Sequence, residues 1–207
     1  MAQTVWVKLI NTTANRGTEM FEHEAWVGEN FGKGLNGHRV MIVGWSHWGN
    51  EEEDIGTNGC IQKVIDEEWR IPFFTQIRGY FDHQDHALFW PQVMFINFLP
   101  SLVGGAEQRF GQGTLEQRQT GQERFLRLID EKLPHKVLVF TSRRWAFPHF
   151  DDSENLSPNF PMFLKSKYKI GSHEAAIFFL RHPQGARKEI MQAAVQYIIG
   201  MPMVLND

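Results

Sequence analysis

Four runs of consecutive apolar residues punctuate the chain: Arg39–Gly44, Val93–Asn97, Lys136–Thr141 and Ala175–Leu180. Each ends at polar or turn residues, and none alternates apolar with polar. Such runs predict strands buried on both faces rather than strands with one wet side. Helical patterns lie between them. Thr114 is a plausible N-cap for a helix carrying Phe125, Leu126, Leu128, Ile129 and Leu133 at helical spacing, with Pro134 stopping it. Ile190, Met191, Ala194, Val195 and Ile198 repeat the pattern between Ala186 and Ile199, closed by Gly200. Shorter helices are predicted over Ile61–Trp69 and Phe73–Phe81, on either side of Pro72.

Strands alternating with helices imply an α/β fold. The expectation is a three-layer α/β/α architecture around a central, mainly parallel four-stranded sheet. No internal repeat or low-complexity linker divides the chain, so residues 1–207 read as a single domain. The polar, proline-containing stretch from Asp151 to Pro161 reads as a long loop.

Ligands of open parallel sheets bind beyond the carboxyl ends of the strands. That rule gathers Gly44–Gly49, Asn97–Phe98, Thr141–Trp145 and Arg181–Gln184 on one face, where polar residues and glycines replace the apolar strands. Composition narrows the reading further. The 207 residues are 42% hydrophobic and 22% charged, ordinary for a globular protein. No apolar run approaches the roughly 20 residues of a membrane span, and no secretory signal opens the chain, so a cytoplasmic protein without membrane contact is expected. The lone Cys60 excludes an intramolecular disulfide framework and a four-cysteine metal cluster. A net charge of −3 is not the footprint of a strongly basic nucleic-acid binder, although a local basic face remains compatible with it. Seven Trp and 17 Phe supply many flat surfaces, most of them for the core and a few for stacking on a planar ligand.

Read together, the strand ends resemble the uracil-DNA glycosylase-like superfamily. Val43-Gly44-Trp45-Ser46-His47-Trp48 stands where that superfamily carries its first motif, G-Q-D-P-Y in one branch and G-E-S-H-Y in a bacterial branch that is more similar still. Phe95-Ile96-Asn97-Phe98 corresponds to the strand whose Asn reads the base. Leu133-Pro134, Val137–Phe140 and Arg143-Arg144-Trp145 resemble the helix, proline, buried strand and short helix that follow. Arg181-His182-Pro183 matches the final H-P motif. The order and spacing agree across roughly residues 35 to 190.

The resemblance implies excision of uracil or another deaminated base from DNA, with no cofactor, no metal and a monomeric protein. A base must leave its stack to be reached, so such a site needs an aromatic platform and hydrogen bonds to the base edge. Asn97 would read the base beside Gly44, Trp48 and Phe98. His182 would donate to the departing base, with Ser46 and His47 as the remaining catalytic candidates. Arg143, Arg144 and Arg187 would contact the DNA backbone. Ser46 departs from the family, which places Asp or Asn there to orient water, and Trp45 replaces the acidic residue of the G-E-S-H branch. Of Glu51, Glu52, Glu53 and Asp54, one is placed to reach back in their stead. Gln184-Gly185-Ala186 lacks a bulky wedge, which argues against invasion of a duplex.

Each candidate also has a plain structural reading. Gly44–Gly49 suits a tight turn, Asn97 and His182 suit buried polar packing, Trp48 suits packing as well as stacking, and Glu51–Asp54 suits a solvated loop. Asp82-His83-Gln84-Asp85-His86 carries metal-ligand types without metal-site spacing and reads as a solvated helix start. Two other functions stay open: a nucleobase- or nucleic-acid-binding relative without turnover, and a serine hydrolase using Ser46, whose G-x-S-x-x-G string is not the hydrolase elbow.

Overall fold

The computed structural model describes residues 22–104, 111–141 and 146–202. In chain order its elements are β1 (Trp26–Val27), β2 (Val40–Gly44), α1 (Gly56–Ile65), α2 (Pro72–Tyr80), α3 (His86–Phe89), β3 (Met94–Asn97), α4 (Leu115–Lys132), β4 (Lys136–Val139), β5 (Glu154–Asn155), β6 (Leu164–Ile170), β7 (His173–Phe179) and α5 (Lys188–Gly200). They build a mixed α/β fold around one seven-stranded sheet of order β1-β3-β2-β4-β7-β6-β5.

The four apolar runs become the middle of that sheet, where β3, β2, β4 and β7 are mutually parallel. The expected four-stranded sheet is therefore too small. β1 adds antiparallel to β3, and the β6–β5 pair adds antiparallel beyond β7. Part of the loop expected from Asp151 to Pro161 is β5. Leu-Lys-Ser-Lys-Tyr-Lys-Ile of β6 carries Lys165, Lys167 and Lys169 on one side and Leu164, Ser166, Tyr168 and Ile170 on the other. Lys165 pairs with Glu154, and Lys167 and Lys169 with Glu174, so the polar side stays in water while the other side packs.

Helices cover both faces. Val40, Ile42, Phe95, Leu138 and Phe178 point to the side of α1, α2, α3 and α5, where they meet Ile61, Phe74, Ile77, Trp90 and Val195. Met41, Val43, Met94, Ile96, Val137 and Val139 point to the side of α4 and meet Phe125 and Ile129. Successive residues of each central strand thus bury opposite faces, which is why their sequences show no polar alternation. Among the described residues no helix is long and apolar enough to cross a membrane.

Capping explains where the helices begin and end. Thr114 accepts from the Gln117 amide while the Gln117 side chain returns to the Thr114 amide, a complete capping box for α4. Leu133 closes it in the left-handed region at φ 48°. Asp85 accepts from the amides of Ala87 and Leu88 and starts α3. His86 of the same segment accepts from Trp90 Nε1 through Nδ1, so these polar residues build a helix start. At the C-terminus of α5, the buried Lys136 Nζ donates to the carbonyls of Ile198, Ile199 and Met201 at 2.9, 2.8 and 2.6 Å.

From β2 the chain crosses through α1–α3 to β3 on one side, then returns through α4 on the other face to β4 on the opposite side of β2. That reversal puts the topological switch point at the carboxyl end of β2, the place where sheets of this kind bind ligands.

Candidate functional site

Gly44 ends β2 in register with Asn97 at the end of β3. A Cβ on Gly44 would lie 2.4 Å from Asn97 Oδ1, 3.2 Å from Phe95 Cζ and 3.4 Å from Phe73 Cζ. The first distance is shorter than any side chain tolerates, so only glycine lets the Asn97 amide lie across this strand end. Asn97 is 8% exposed, and Arg124 Nη1 holds its carbonyl at 2.9 Å. Its side chain is thus presented at the crevice from a fixed backbone.

Phe73 forms the next wall. Pro72 opens α2 at a position where its missing N–H costs nothing, and the following ring reaches the Gly44 surface. The ring centroid of Phe73 lies 5.4 Å from that of His182, with 35° between the planes, and 6.0 Å from Phe95. His182 caps the short 3-10 turn Pro183–Gly185, and its Nδ1 accepts from the Gln184 amide at 3.3 Å. A neutral ring that accepts at Nδ1 carries its proton on Nε2 and is a donor there. Gly44, Asn97, Phe73 and His182 therefore form one continuous surface from three strand ends and a helix start.

The turn after β2 is held by main chain. The amides of Phe98 and Leu99 donate to Gly44 and Trp45 carbonyls at 3.0 and 2.8 Å, that of Val103 to His47 at 3.1 Å, and that of Gly49 to Gly104 at 3.0 Å. Gly49 sits at φ 148°, a conformation that favours glycine. Behind the turn lies a polar cluster. His47 Nε2 is 3.0 Å from Thr57 Oγ1, and the His47 and His23 rings meet edge to face at 4.7 Å. His23 Nε2 is 2.5 Å from Asp54 Oδ2, while Asp54 Oδ1 accepts from the Gly56 amide at 2.9 Å.

Burial, followed by the charge on His23, pushes the His47 imidazole down to about 4, so it is neutral near pH 7. Burial alone raises the Asp54 carboxyl. The Gly56 amide, the His23 hydrogen bond and the charges of His23 and His47 outweigh that and hold it below the usual carboxylate range. The cluster thus keeps the Asp54 carboxylate ionised behind the turn, bound to the Gly56 amide and His23.

The remaining candidates fall as follows. Ser46 is half-buried in the turn, and its hydroxyl makes no hydrogen bond among the described residues. Trp48 is 49% exposed and stands out from the turn. Phe98 is fully buried and stacks on Trp45, with ring centroids 5.3 Å apart, so it supports the site from beneath and has no ring face to offer a base. Arg187 is exposed just before α5, beside exposed Lys188 and near exposed Arg181. Arg143 and Arg144 lie outside the described residues. Cys60 is partly buried, and burial raises its thiol to about 11.

Phe73, His23, Thr57 and Arg124 escape a reading of the sequence. Phe73 alone left a trace there, as an aromatic residue directly after the proline that opens a helix. His23 and Arg124 meet the site through partners 31 and 27 residues away in the chain, and no local pattern encodes such bonds. Compared with known proteins, the chain matches no family model and no curated protein.

Proposed function

We propose that the crevice at Gly44 receives a planar nucleobase turned out of a DNA strand, and that the protein cleaves the N-glycosidic bond of uracil or another deaminated base. The observation that carries this reading is the surface on which the Asn97 amide, the Phe73 ring and His182 adjoin across a glycine that leaves them room. A ring stacked on Phe73 would present its edge to Asn97, whose amide offers one acceptor and one donor group, the complement of the N3–H and O4 of uracil.

In the reaction the C1′–N bond breaks, its electron pair leaves with the base, and water adds to C1′ with loss of a proton. The products are the free base and an abasic site. Negative charge grows on the departing base, where His182 and the Asn97 amide would supply the donors. Positive charge grows on the sugar, and the Asp54 carboxylate behind the turn is a charge of opposite sign held in place by the Gly56 amide and His23. Ser46 then has the smaller task of orienting water rather than deprotonating it.

The test is incubation with single-stranded oligonucleotides containing uracil, hypoxanthine or xanthine, followed by detection of abasic sites. His182→Ala is expected to lower the cleavage rate by about 100- to 1000-fold, the usual effect of losing one donor to a developing anion. Absence of cleavage on every substrate refutes the enzyme reading.

A second reading, binding of a base without turnover, is favoured by one observation: both oxygens of Asp54 are already engaged, by Gly56 and His23. Base-dependent quenching of tryptophan fluorescence without product distinguishes it. A serine nucleophile has the least support, because the Ser46 hydroxyl has no histidine partner and His47 Nε2 is engaged with Thr57.

A further inference from the structure

A cavity of about 460 Å³ lies between α1, α2 and α3, with no strand residue in its lining. Trp69, Arg70, Pro72, Gln76, Arg78 and His86 line it, with Glu67 as its acidic member. Its volume falls within the range of small-molecule sites.

Four features give it a chemistry. Trp69 lines the cavity and is 39% exposed, so part of its indole is open to a ligand there. Lys63 Nζ sits 5.6 Å from the Trp69 centroid and anchors the indole. Arg78 lines the cavity as a permanent cation, and its buried Nε has no hydrogen-bond partner among the described residues, so the protein does not fully engage this guanidinium. His86 accepts from Trp90 Nε1 at Nδ1, which leaves its proton on Nε2, 3.5 Å from Thr75 Oγ1 and on the cavity side. Two arginines against one glutamate make the lining net positive. A flat ring beside a cluster of cationic and neutral donors suits a ligand that is both aromatic and anionic.

We infer that this cleft binds one nucleotide unit of a single nucleic-acid strand, its base against Trp69 and its phosphate against Arg70 and Arg78. The choice of a strand rests on the base-excising reading above. Pro72, Thr75 and Gln76 share one face of α2, and Phe73 lies roughly 100° around the same helix. The base platform at Gly44 and the cleft therefore meet neighbouring faces of the first turn of α2. A strand with one base on Phe73 carries its neighbours past the start of α2 and into reach of Trp69. Stacking on an aromatic ring is indifferent to base identity, so the cleft would add grip without adding sequence preference.

The experiment measures binding of a fluorescently labelled oligothymidylate of about ten nucleotides, which contains no excisable base, by anisotropy at low salt. The wild-type protein is expected to bind it, and Trp69→Ala and Arg78→Gln are each expected to weaken binding about ten-fold or more. Arg70→Gln, at an exposed position, keeps the test usable where Arg78→Gln disturbs folding. Gly79→Ala, on the same helix but outside the lining, serves as the unaffected control. Equal affinity in Trp69→Ala, Arg70→Gln and wild type overturns the inference. Thymidine 5′-monophosphate binding as tightly as the oligonucleotide also overturns it, and makes the cleft a site for a free nucleotide. Because the probe has no target base, loss of excision at Gly44 with oligothymidylate binding intact counts against the base-excising reading alone.

Discussion

Arg124 and Asn97 are joined through the main chain: a guanidinium only 4% exposed donates to the Asn97 carbonyl at 2.9 Å. The same side chain donates to the His23 carbonyl and pairs with Glu22 at 2.8 Å. One residue of α4 thus fixes both the end of β3 and the histidine of the polar cluster. Arg124→Met leaves two buried carbonyls without donors and is expected to cost about 3 kcal/mol. Arg124→Lys, which keeps the charge but loses the planar fork, restores only part of this. Urea denaturation midpoints decide the matter, and an unchanged midpoint in Arg124→Met contradicts it.

Gly44 and Gly79 should respond oppositely to the same change. An alanine at Gly44 meets Asn97 Oδ1 at 2.4 Å and must displace the amide, so base binding is lost and stability falls by about 1–3 kcal/mol. An alanine at Gly79, in α2, meets nothing within 4 Å and replaces a poor helix former, for a gain of about 0.5–1 kcal/mol. Thermal melts of the two variants, with a binding assay beside them, check both signs.

Stability should fall steeply on acidification. His47 and His135 are each held down to about 4, in both cases first by burial, against an ordinary value of 6.5. The unfolded chain therefore takes up protons first as pH falls. The stability contributed by each neutral ring is present above pH 6.5 and is lost between 6.5 and 4, at most on the order of 3 kcal/mol for His47. Asp54, whose carboxyl is also lowered, adds a further loss as pH drops through its folded value. Denaturation free energies measured from pH 7 to 4 should show this slope, and His47→Gln should flatten it.

Lys136 offers a separate test at the opposite end of the sheet. Burial lowers its ammonium from 10.5 to about 8, so the unfolded state binds more protons between those values and stability should rise with pH across that window. Lys136→Met removes this slope and leaves the carbonyls of Ile199 and Met201 without this donor, while that of Ile198 keeps the Met201 amide. Hydrogen exchange in the last turn of α5 should quicken while α4 is unaffected. Unchanged protection in that turn contradicts the cap.

What the sequence made legible was set by local physics. β2, β3, β4 and β7 are buried on both faces, so their continuous apolar runs announce them. α4 shows its start through Thr114 and its stop through Pro134. β6 escaped because Lys165, Lys167 and Lys169 break its apolar pattern, and β1 and β5 because strands of two residues exist only through their partners. The same division applies at the site. Gly44, Asn97 and His182 lie directly at the ends of readable strands. Trp48 and Phe98 were placed by motif position alone, which cannot tell that one side chain points to solvent and the other into the core. Phe73, His23 and Arg124 arrive from elsewhere in the chain, and only folding brings them in.

The main-chain bonds that hold the turn from Trp45 to Gly49 against the segment from Leu99 to Gly104 have an evolutionary consequence. Because the path of that turn is set by amides and carbonyls, substitutions at Ser46 or Trp48 leave the frame standing. Side chains can be exchanged there while the same backbone cradle is inherited, so what this face presents is free to drift faster than its architecture.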